Sequence, residues 1–211
     1  LDDIKDALGV LAYGMLSKSC EYPKSEDFRE ILSRTAAWDI LKKRVSLLHC
    51  TSEYPAPYRD CNLLAIDVLR KTFGLEVGYS DHTEGTEICL AAAALGASII
   101  EKHFTINRSL IGPDHAASIE GEELKSLVDG VRKIELALGS AAKSPQASEL
   151  KNKQAIRKCI VAEATIKKGD IFSTRNLTIK RPDIGISPKY FFDLLGQKAD
   201  RDYSKDEPIT L

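Results

Sequence analysis

Histidines give the strongest chemical signal in this sequence, because all four lie between residues 49 and 115: His49, His82, His103 and His115. His82 comes soon after the predicted strand Leu75–Tyr79, and His103 directly follows the predicted strand Ser98–Lys102. Neighbouring parallel strands run ~4.8 Å apart and end at the same edge of a sheet, so we expect these two rings to reach one point. Two imidazoles with added oxygen ligands suit a catalytic divalent cation that keeps open coordination positions. The competing interpretation is that both rings only form hydrogen bonds in a barrel core.

Acidic and hydroxyl side chains lie next to both histidines in the sequence. Glu101 shares the pleat face of His103, since side chains two apart in a strand point the same way. Asp81 directly precedes His82 and either accepts a hydrogen bond that orients its ring or, like Ser80, caps the following helix. The sequence leaves both interpretations of Asp81 open.

The loop after the third predicted strand contains the segment Gly112–His115 (GPDH). Gly-Pro is common in turns, so an ordinary turn is one interpretation. A long loop at the carboxyl end of a strand favours the other interpretation, a role in binding.

Three strand–loop–helix units in series are predicted to position these side chains. The predicted strands are Val45–Cys50, Leu75–Tyr79 and Ser98–Lys102, and the helices that follow them are Cys61–Phe73, Glu87–Leu95 and Gly121–Leu138. Strands that are nearly continuous in apolar residues are typical of parallel βα repeats. About eight such units close a TIM barrel, so the predicted fold class is α/β, with residues 1–139 forming the C-terminal part of a TIM (β/α)8 barrel whose first strands are missing. Two further helices, Leu1–Leu16 and Asp27–Arg44, are predicted before the first strand.

The pattern changes after residue 139. Residues 140–156 lose helical periodicity and are predicted to be a linker. Short strands are predicted in residues 157–211, at Arg157–Ala162, Leu177–Lys180 and Ile209–Leu211, with one helix at Pro188–Leu195. Residues 1–150 hold 17 Lys and Arg against 23 Asp and Glu, a net −6, whereas residues 151–211 hold 13 against 8, a net +5. The sequence therefore predicts a barrel part and a small second domain of roughly 55 residues, near the lower limit for independent folding.

The overall composition narrows the possible classes of protein. The 211 residues are 43% hydrophobic and 29% charged, which excludes a disordered or collagen-like chain, and the net charge of −1 argues against nucleic-acid binding. No apolar stretch approaches the ~20 residues that cross a bilayer, so no membrane span is expected. The cysteines are odd in number and irregularly spaced, which predicts reduced thiols and a cytoplasmic location: Cys20, Cys50, Cys61, Cys89 and Cys159. The chain begins with Leu1 inside a helical pattern, so we expect an upstream segment to be missing.

Four motifs resemble those of the sialic acid synthase family. They are His49–Pro55 (HCTSEYP), Gly78–Thr83 (GYSDHT), Glu101–Thr105 (EKHFT) and Gly112–His115 (GPDH), in the family's order and spacing. The segment Lys180-Arg181-Pro182 resembles part of that family's C-terminal antifreeze-like (SAF) domain, and the similarity runs nearly from Val45 to Leu211. The resemblance implies a TIM barrel in residues 1–139 and a SAF domain of the β-clip type in residues 157–211.

The resemblance also implies a reaction. Phosphoenolpyruvate condenses with an N-acetylmannosamine-type aldehyde to give a nonulosonic (sialic) acid and phosphate, with cleavage of a C–O bond. In that family the histidines matching His82 and His103 bind a divalent metal, usually manganese, with magnesium or cobalt as alternatives, which acts as a Lewis acid on the sugar aldehyde. Glu101 is expected beside the metal and the reacting carbons, and Asp81 is the second candidate catalytic residue.

Substrate contacts follow from the same resemblance. Ser52 and Ser80 are expected to hold phosphoenolpyruvate, whereas Tyr54 and Asp114 are expected to contact the sugar. Arg181 is expected to reach across a domain-swapped homodimer to the sugar's acetamido group in the partner's barrel. The net +5 of the second domain is compatible with covering an anionic substrate and equally with docking onto the acidic first domain.

The sequence departs from the family pattern in three places. Many relatives have Asn where this chain has Ser52. The family's first strands, which carry phosphate-binding lysines and another catalytic glutamate, are absent, so this chain alone is expected to be inactive. Residues 17–43 are longer than the usual single helix, and we expect an extra helix there. The alternative functions are an inactive synthase fragment and a non-catalytic SAF module that binds carbohydrate or ice, although the charges of residues 157–211 are unlike an ice-binding face.

Overall fold

Apolar residues at helical spacing open the chain, and the computed structural model begins accordingly with a helix, α1 (Asp2–Leu16). The structure describes residues 1–18, 22–150, 152, 156–181 and 184–210, so the predicted roles of Cys20 and Pro182 lie outside the described residues. The chain divides into two units, Leu1–Gly139 (unit 1) and Ser140–Leu211 (unit 2).

Three helices precede the first strand of unit 1: α1, α2 (Ser25–Ile31) and α3 (Thr35–Arg44). Leu8 and Ala12 of α1 and Leu41 of α3 are buried in one apolar core. A Cβ added at Gly9 would lie 2.2 Å from the Phe28 carbonyl oxygen, so only glycine allows α1 to approach α2 this closely.

The predicted single helix Asp27–Arg44 is wrong, because the chain turns between α2 and α3. The Ser33 hydroxyl donates to the Glu30 carbonyl oxygen at 2.7 Å. The Trp38 indole N–H donates to the Leu32 carbonyl oxygen at 2.9 Å. Such side-chain bonds offer the backbone an alternative to the helical ladder. The segment expected to hold an extra helix therefore contains two short ones.

Three parallel strands follow, in the order β1 (Ser46–Cys50), β2 (Glu76–Asp81) and β3 (Ile100–Lys102). The helices after these strands are α4 (Ala65–Phe73), α5 (Glu87–Ala94) and α6 (Gly121–Leu138), and short 3-10 turns occur at Tyr58–Asp60 and His115–Ala117. The predicted series of parallel βα units is therefore confirmed.

Two element boundaries differ from the prediction for local reasons. Helix α4 begins at Ala65 and not at Cys61, because Asn62 has a φ of 42°, in the left-handed region that a right-handed helix cannot include. Strand β2 continues beyond the predicted end, so Ser80 and Asp81 are strand residues and not part of a turn.

Side chains alternate between the two faces of this sheet. Val77 and Tyr79 of β2 are buried in the apolar core. We call this side, which also carries Asp81 and Lys102, the core face. The opposite side, which we call the site face, carries Ser80, Glu101, His82 and His103.

Unit 2 contains an antiparallel pair of strands, β4 (Cys159–Ala162) and β5 (Leu177–Lys180), which confirms two predicted strands. In the predicted third strand, Ile209 donates its N–H to the Ile160 carbonyl oxygen at 2.9 Å. The predicted linker contains a short helix, α7 (Ala147–Leu150), and the predicted helix Pro188–Leu195 is a 3-10 turn, Pro188–Tyr190, followed by α8 (Phe191–Leu194). In the described ranges of the chain, no helix has the length and apolarity needed to span a membrane.

Candidate functional site

Three aromatic rings meet beyond the carboxyl ends of β2 and β3. The His82 and His103 rings have centroids 5.3 Å apart and planes at 83°. The Tyr54 ring, on the loop after β1, lies 4.1 Å from the His82 ring and 5.3 Å from the His103 ring. The expected convergence of the two histidines is therefore present, with the predicted sugar-contacting tyrosine against both.

Hydrogen bonds fix the position and the tautomer of His82. Its Nδ1 lies 2.7 Å from the Thr51 carbonyl oxygen. A carbonyl oxygen only accepts, so Nδ1 carries a proton, and in the neutral ring the lone pair is on Nε2. The Ala56 N–H donates to the His82 carbonyl oxygen at 2.9 Å, so the loop after β1 holds this residue at both its ring and its backbone. The Cys50 sulfur lies 3.8 Å from the same Nδ1.

Glu101 and Ser80 are joined on the site face. The Ser80 hydroxyl donates to Glu101 Oε1 at 2.7 Å, which holds the carboxylate across the β2–β3 pair. Ser80 is buried, whereas Glu101 is exposed. The second carboxylate oxygen of Glu101 forms no hydrogen bond with any described residue, which leaves it available to a ligand.

Asp114 approaches the site from the loop after β3. Its Oδ2 lies 4.0 Å from His103 Nδ1, beyond hydrogen-bond distance. The Ser118 hydroxyl donates to the Asp114 carbonyl oxygen at 2.7 Å and holds the backbone of the loop at this point. Asp114 therefore lies beside His103, and its contact with a sugar stays a prediction.

Asp81 lies on the core face, and its predicted role in orienting His82 is wrong. The acceptor for His82 Nδ1 is the Thr51 carbonyl oxygen. The Asp81 carboxylate instead accepts hydrogen bonds from Lys102 Nζ at 2.6 Å and from the Cys89 thiol at 3.1 Å. The alternative interpretation as a helix cap is also wrong, since α5 begins only at Glu87. The extension of β2 through this residue explains both errors.

The surroundings of Asp81 set its protonation state. Burial by itself raises the pKa of Asp81, but hydrogen bonds from Lys102 and Cys89 outweigh burial and hold that pKa below its usual value. Burial and the neighbouring carboxylate raise the pKa of the Cys89 thiol. The group is thus a carboxylate paired with an ammonium, beside a thiol that keeps its proton.

The remaining predicted site residues are Ser52 and Arg181, and the other two histidines are His49 and His115. Ser52 is exposed on the loop after β1, and Arg181 is exposed directly after β5 in unit 2. Of the other two histidines, His49 Nε2 lies 2.8 Å from the Cys61 carbonyl oxygen, and His115 Nδ1 lies 2.8 Å from the Thr105 hydroxyl. Both of these rings are bonded within the protein.

Lys102 is the residue near the site that the sequence analysis missed. It lies in the EKHFT motif, but no role was assigned to it. Its Nζ is bonded to the Asp81 carboxylate and to the Thr83 carbonyl oxygen, the latter at 2.7 Å. A lysine at the end of a short strand that is predicted to be buried was the available signal, because such a charge requires a buried partner.

The donor set fits a catalytic divalent metal with open coordination positions. Two imidazoles converge, and the hydrogen bond from His82 Nδ1 to a carbonyl is the usual arrangement behind a metal-bound histidine nitrogen. Across the described part of the chain, no group of three or more His, Cys, Asp or Glu side chains could hold a metal ion.

Comparisons with known proteins identify the family of this chain. The NeuB family model matches residues 9–143, and the SAF domain model matches residues 157–211. The N,N′-diacetyllegionaminic acid synthase of Campylobacter jejuni is 51% identical over 168 residues, which cover 80% of this chain and 50% of that protein. Human N-acetylneuraminate-9-phosphate synthase is 37% identical over 171 residues, which cover 80% of this chain and 48% of that protein.

A solved structure supports the same relationship. The crystal structure of N-acetylneuraminic acid (sialic acid) synthetase from Leptospira borgpetersenii, in complex with citrate, aligns with a TM-score of 0.53 at 37% identity. The alignment covers 69% of this chain and 51% of that chain. The chain thus spans about half the length of the relatives it matches.

Proposed function

Because the chain belongs to the NeuB family of sialic acid synthases and carries a SAF domain, we propose that it is part of a metal-dependent synthase of nonulosonic acids. The proposed reaction condenses phosphoenolpyruvate with an N-acetylmannosamine-type sugar and releases phosphate by C–O cleavage. The observation that carries the proposal is the His82–His103 pair, 5.3 Å between ring centroids, beside Tyr54 and on the same face as Glu101.

His82 Nε2 and the His103 ring are the proposed metal ligands, with manganese as the metal and magnesium or cobalt as alternatives. A bound divalent cation supplies Lewis-acid polarisation of the sugar aldehyde. The Thr51 carbonyl holds the proton of the neutral ring on Nδ1, so that Nε2 is the nitrogen that presents a lone pair to a metal. The loop after β1 then keeps this ring in place during turnover.

Side chains around the histidine pair bind and orient the two substrates in this proposal. Ser80 and Ser52 hold phosphoenolpyruvate, and Tyr54 and Asp114 contact the sugar. Glu101 is held through Oε1 by the Ser80 hydroxyl, which leaves Oε2 to face the reacting carbons or the water that adds to phosphoenolpyruvate. Fixing these groups before binding lowers the entropy cost of bringing two substrates together.

The proposal also includes parts of the protein that lie outside this sequence, and a partner subunit. We propose that the three parallel strands belong to a TIM barrel completed by chain that this sequence does not include, since the relatives are about twice as long. In a domain-swapped homodimer, Arg181 would contact the sugar's acetamido group in the partner's barrel. A cytoplasmic location is proposed because phosphoenolpyruvate is a cytosolic metabolite.

A chimera tests the proposed activity. The part of the C. jejuni N,N′-diacetyllegionaminic acid synthase that this chain does not match is joined to this chain, and phosphate release is measured with phosphoenolpyruvate, manganese and a panel of N-acetylated sugars. We expect the chain alone to be inactive and the chimera to release phosphate. His82→Ala or EDTA should lower the rate by ~100-fold or more, because Lewis-acid stabilisation is worth several kcal/mol.

The matched control is His49→Gln, because His49 is bonded to a backbone carbonyl within the protein. This variant should keep most of the activity. A chimera that is active but indifferent to EDTA and to His82→Ala would disprove the metal site. Robust turnover by the chain alone would disprove the proposal that the active site needs the additional chain.

A further inference from the structure

We propose that the buried Asp81–Lys102 ion pair is a positioning device that holds His82 and His103 in their converging arrangement. The inference rests on the proposed function, in which these two rings form the metal site. It assigns a role to two charged residues that lie behind the site and touch neither ring in any observed contact.

Burial and bonding set this ion pair apart in the structure. The side chains of Lys102 and Asp81 are 4% and 0% exposed, and their Nζ and Oδ2 atoms are 2.6 Å apart. The other carboxylate oxygen, Oδ1, accepts hydrogen bonds from the Thr83 N–H at 3.1 Å and from the Thr83 hydroxyl at 2.9 Å. The Cys89 thiol of α5 donates to Oδ2. Both oxygens of the Asp81 carboxylate therefore accept hydrogen bonds on the core face.

The location of the pair along the strands places it directly before the two histidines. Asp81 and Lys102 are the last paired residues of β2 and β3, so the ladder of backbone hydrogen bonds between these strands ends there. His82 directly follows β2 and His103 directly follows β3, so both residues lie beyond that ladder. The ion pair is thus the last cross-link between the strands before the two rings.

Lys102 also holds the backbone on both sides of His82. Its ammonium donates to the Asp81 carboxylate, which precedes His82, and to the Thr83 carbonyl oxygen, which follows it. Lys102 directly precedes His103 in the sequence. Its side chain therefore connects the backbone around His82 to the backbone next to His103. Displacement of this side chain would break that connection, so that His103 could move away from His82, which the loop after β1 still holds.

Stability alone is a weak explanation for such a pair. Removing two charges from water costs several kcal/mol per ion, and replacing a buried ion pair by apolar groups of similar volume is often neutral or stabilising. Its specific geometry, with an ammonium that reaches across two strands, is what an apolar pair would lack. The pair therefore matters more for the positions of the rings than for folding.

The test compares variants of the full chain, with two measurements. Asp81→Asn/Lys102→Met removes both charges at similar volume, and Thr83→Val removes the hydroxyl that donates to Asp81 but keeps the backbone N–H donor and the charges. The matched control is Asp67→Asn/Lys71→Met, which removes an exposed pair of the same residue types, 2.6 Å apart, on α4. The first measurement is the nuclear Overhauser effect between the His82 and His103 rings in histidine-labelled protein. The second is Mn²⁺ affinity, from the broadening of those ring signals in a MnCl₂ titration.

The unsubstituted chain and the α4 control should show the inter-ring effect and bind Mn²⁺ equally. The double variant should lose the inter-ring effect while keeping its fold, and its Mn²⁺ affinity should fall by about 10- to 100-fold, as for residues that orient metal ligands. Thr83→Val should show a smaller loss in both measurements, and it serves as the decisive variant if the double variant does not fold.

The outcomes separate this inference from the proposed function. A folded double variant, or Thr83→Val, that keeps the inter-ring effect and Mn²⁺ affinity of the unsubstituted chain overturns the positioning role alone. An unsubstituted chain that shows the inter-ring effect but binds no Mn²⁺ at these rings overturns the proposed metal site, while loss of that effect in the variants still supports the positioning role.

Discussion

The Asp81–Lys102 pair of unit 1 and the Lys167–Asp202 pair of unit 2 join the same two kinds of side chain in opposite surroundings. Their bonds are nearly equal, at 2.6 Å and 2.8 Å, but the first pair is at most 4% exposed, whereas the side chains of the second are 68% and 58% exposed. The first pair crosses between two strands beside the candidate site, and the second joins two surface positions.

Burial, more than distance, decides what an ion pair contributes to the structure. Exposed pairs are screened by water and salt and contribute little to the free energy of unfolding. A buried pair whose hydrogen bonds are all satisfied fixes a geometry, and breaking it on one side leaves a charge that water cannot reach.

Lys102→Met should have the largest effect on stability. It leaves the Asp81 carboxylate buried without its cation, and removing one partner of a buried pair costs about 3–5 kcal/mol. Urea unfolding at pH 7 measures this loss, with Lys71→Met as the exposed control. The double variant Asp81→Asn/Lys102→Met should recover most of the lost stability. Equal stability of the two lysine variants would show that Asp81 is accessible to solvent.

Tyr79→Phe should have a smaller effect of opposite sign. The Tyr79 hydroxyl is buried on the core face and has no hydrogen-bond partner among the described residues. Burial, with Cys61 and Asp81 nearby, raises the pKa of Tyr79, so the hydroxyl keeps its proton. Its removal should stabilise unit 1 by about 1 kcal/mol, because an unsatisfied buried polar group costs about 1–3 kcal/mol.

The matched control in unit 2 is Tyr203→Phe. The Tyr203 hydroxyl lies 2.6 Å from Asp200 Oδ1 and 2.8 Å from the Thr210 carbonyl oxygen, so its removal should destabilise the protein. Chemical unfolding of both variants measures the change in the free energy of unfolding, which should be opposite in sign for the two. If Tyr79→Phe also destabilises, its hydroxyl has a partner in solution, such as a bound water.

Much of the fold could be predicted because hydrophobic periodicity is local. Strand β1 and helix α6 lie within one residue of their predicted ranges, and the parallel βα order follows from their alternation. The break between α2 and α3 could not be predicted, since it depends on where the Ser33 and Trp38 side chains find carbonyl acceptors. Helical periodicity alone does not predict those hydrogen bonds.

The candidate site could be predicted in part, for a related reason. Neighbouring strand ends bring His82 and His103 together, and the pleat places Glu101 on their side. The role of Asp81 was mistaken because the predicted strand ended two residues early, and a small error in strand extent changes which residues alternate between faces. The Lys102 contacts could not be predicted, because they depend on three-dimensional register with β2.

The smallest expected effect concerns the exposed pairs of unit 2. Hydrogen bonds from Lys167, Lys180 and Arg201 lower the pKa values of their carboxylate partners, Asp202, Asp206 and Glu207. A carboxylate whose pKa is lower in the folded state stabilises the fold above its unfolded pKa, about 3.9 for Asp and 4.3 for Glu. That contribution is lost as pH falls through the lower, folded pKa values. Unit 2 should therefore keep its stability from pH 7 to about pH 5 and lose some of it below about pH 4.

Salt separates this acid effect from that of the buried pair in unit 1. In about 1 M NaCl the screening length is about 3 Å, so the acid-dependent loss in unit 2 should shrink, and Asp202→Asn should become indistinguishable from the unsubstituted chain. The Asp81–Lys102 pair should be insensitive to the same salt, because neither side chain contacts solvent appreciably. Hydrogen exchange of the Ile160 and Ile209 amides reports on unit 2, and that of the Tyr79 amide reports on unit 1. Equal salt sensitivity in the two units would mean that burial does not distinguish their ion pairs.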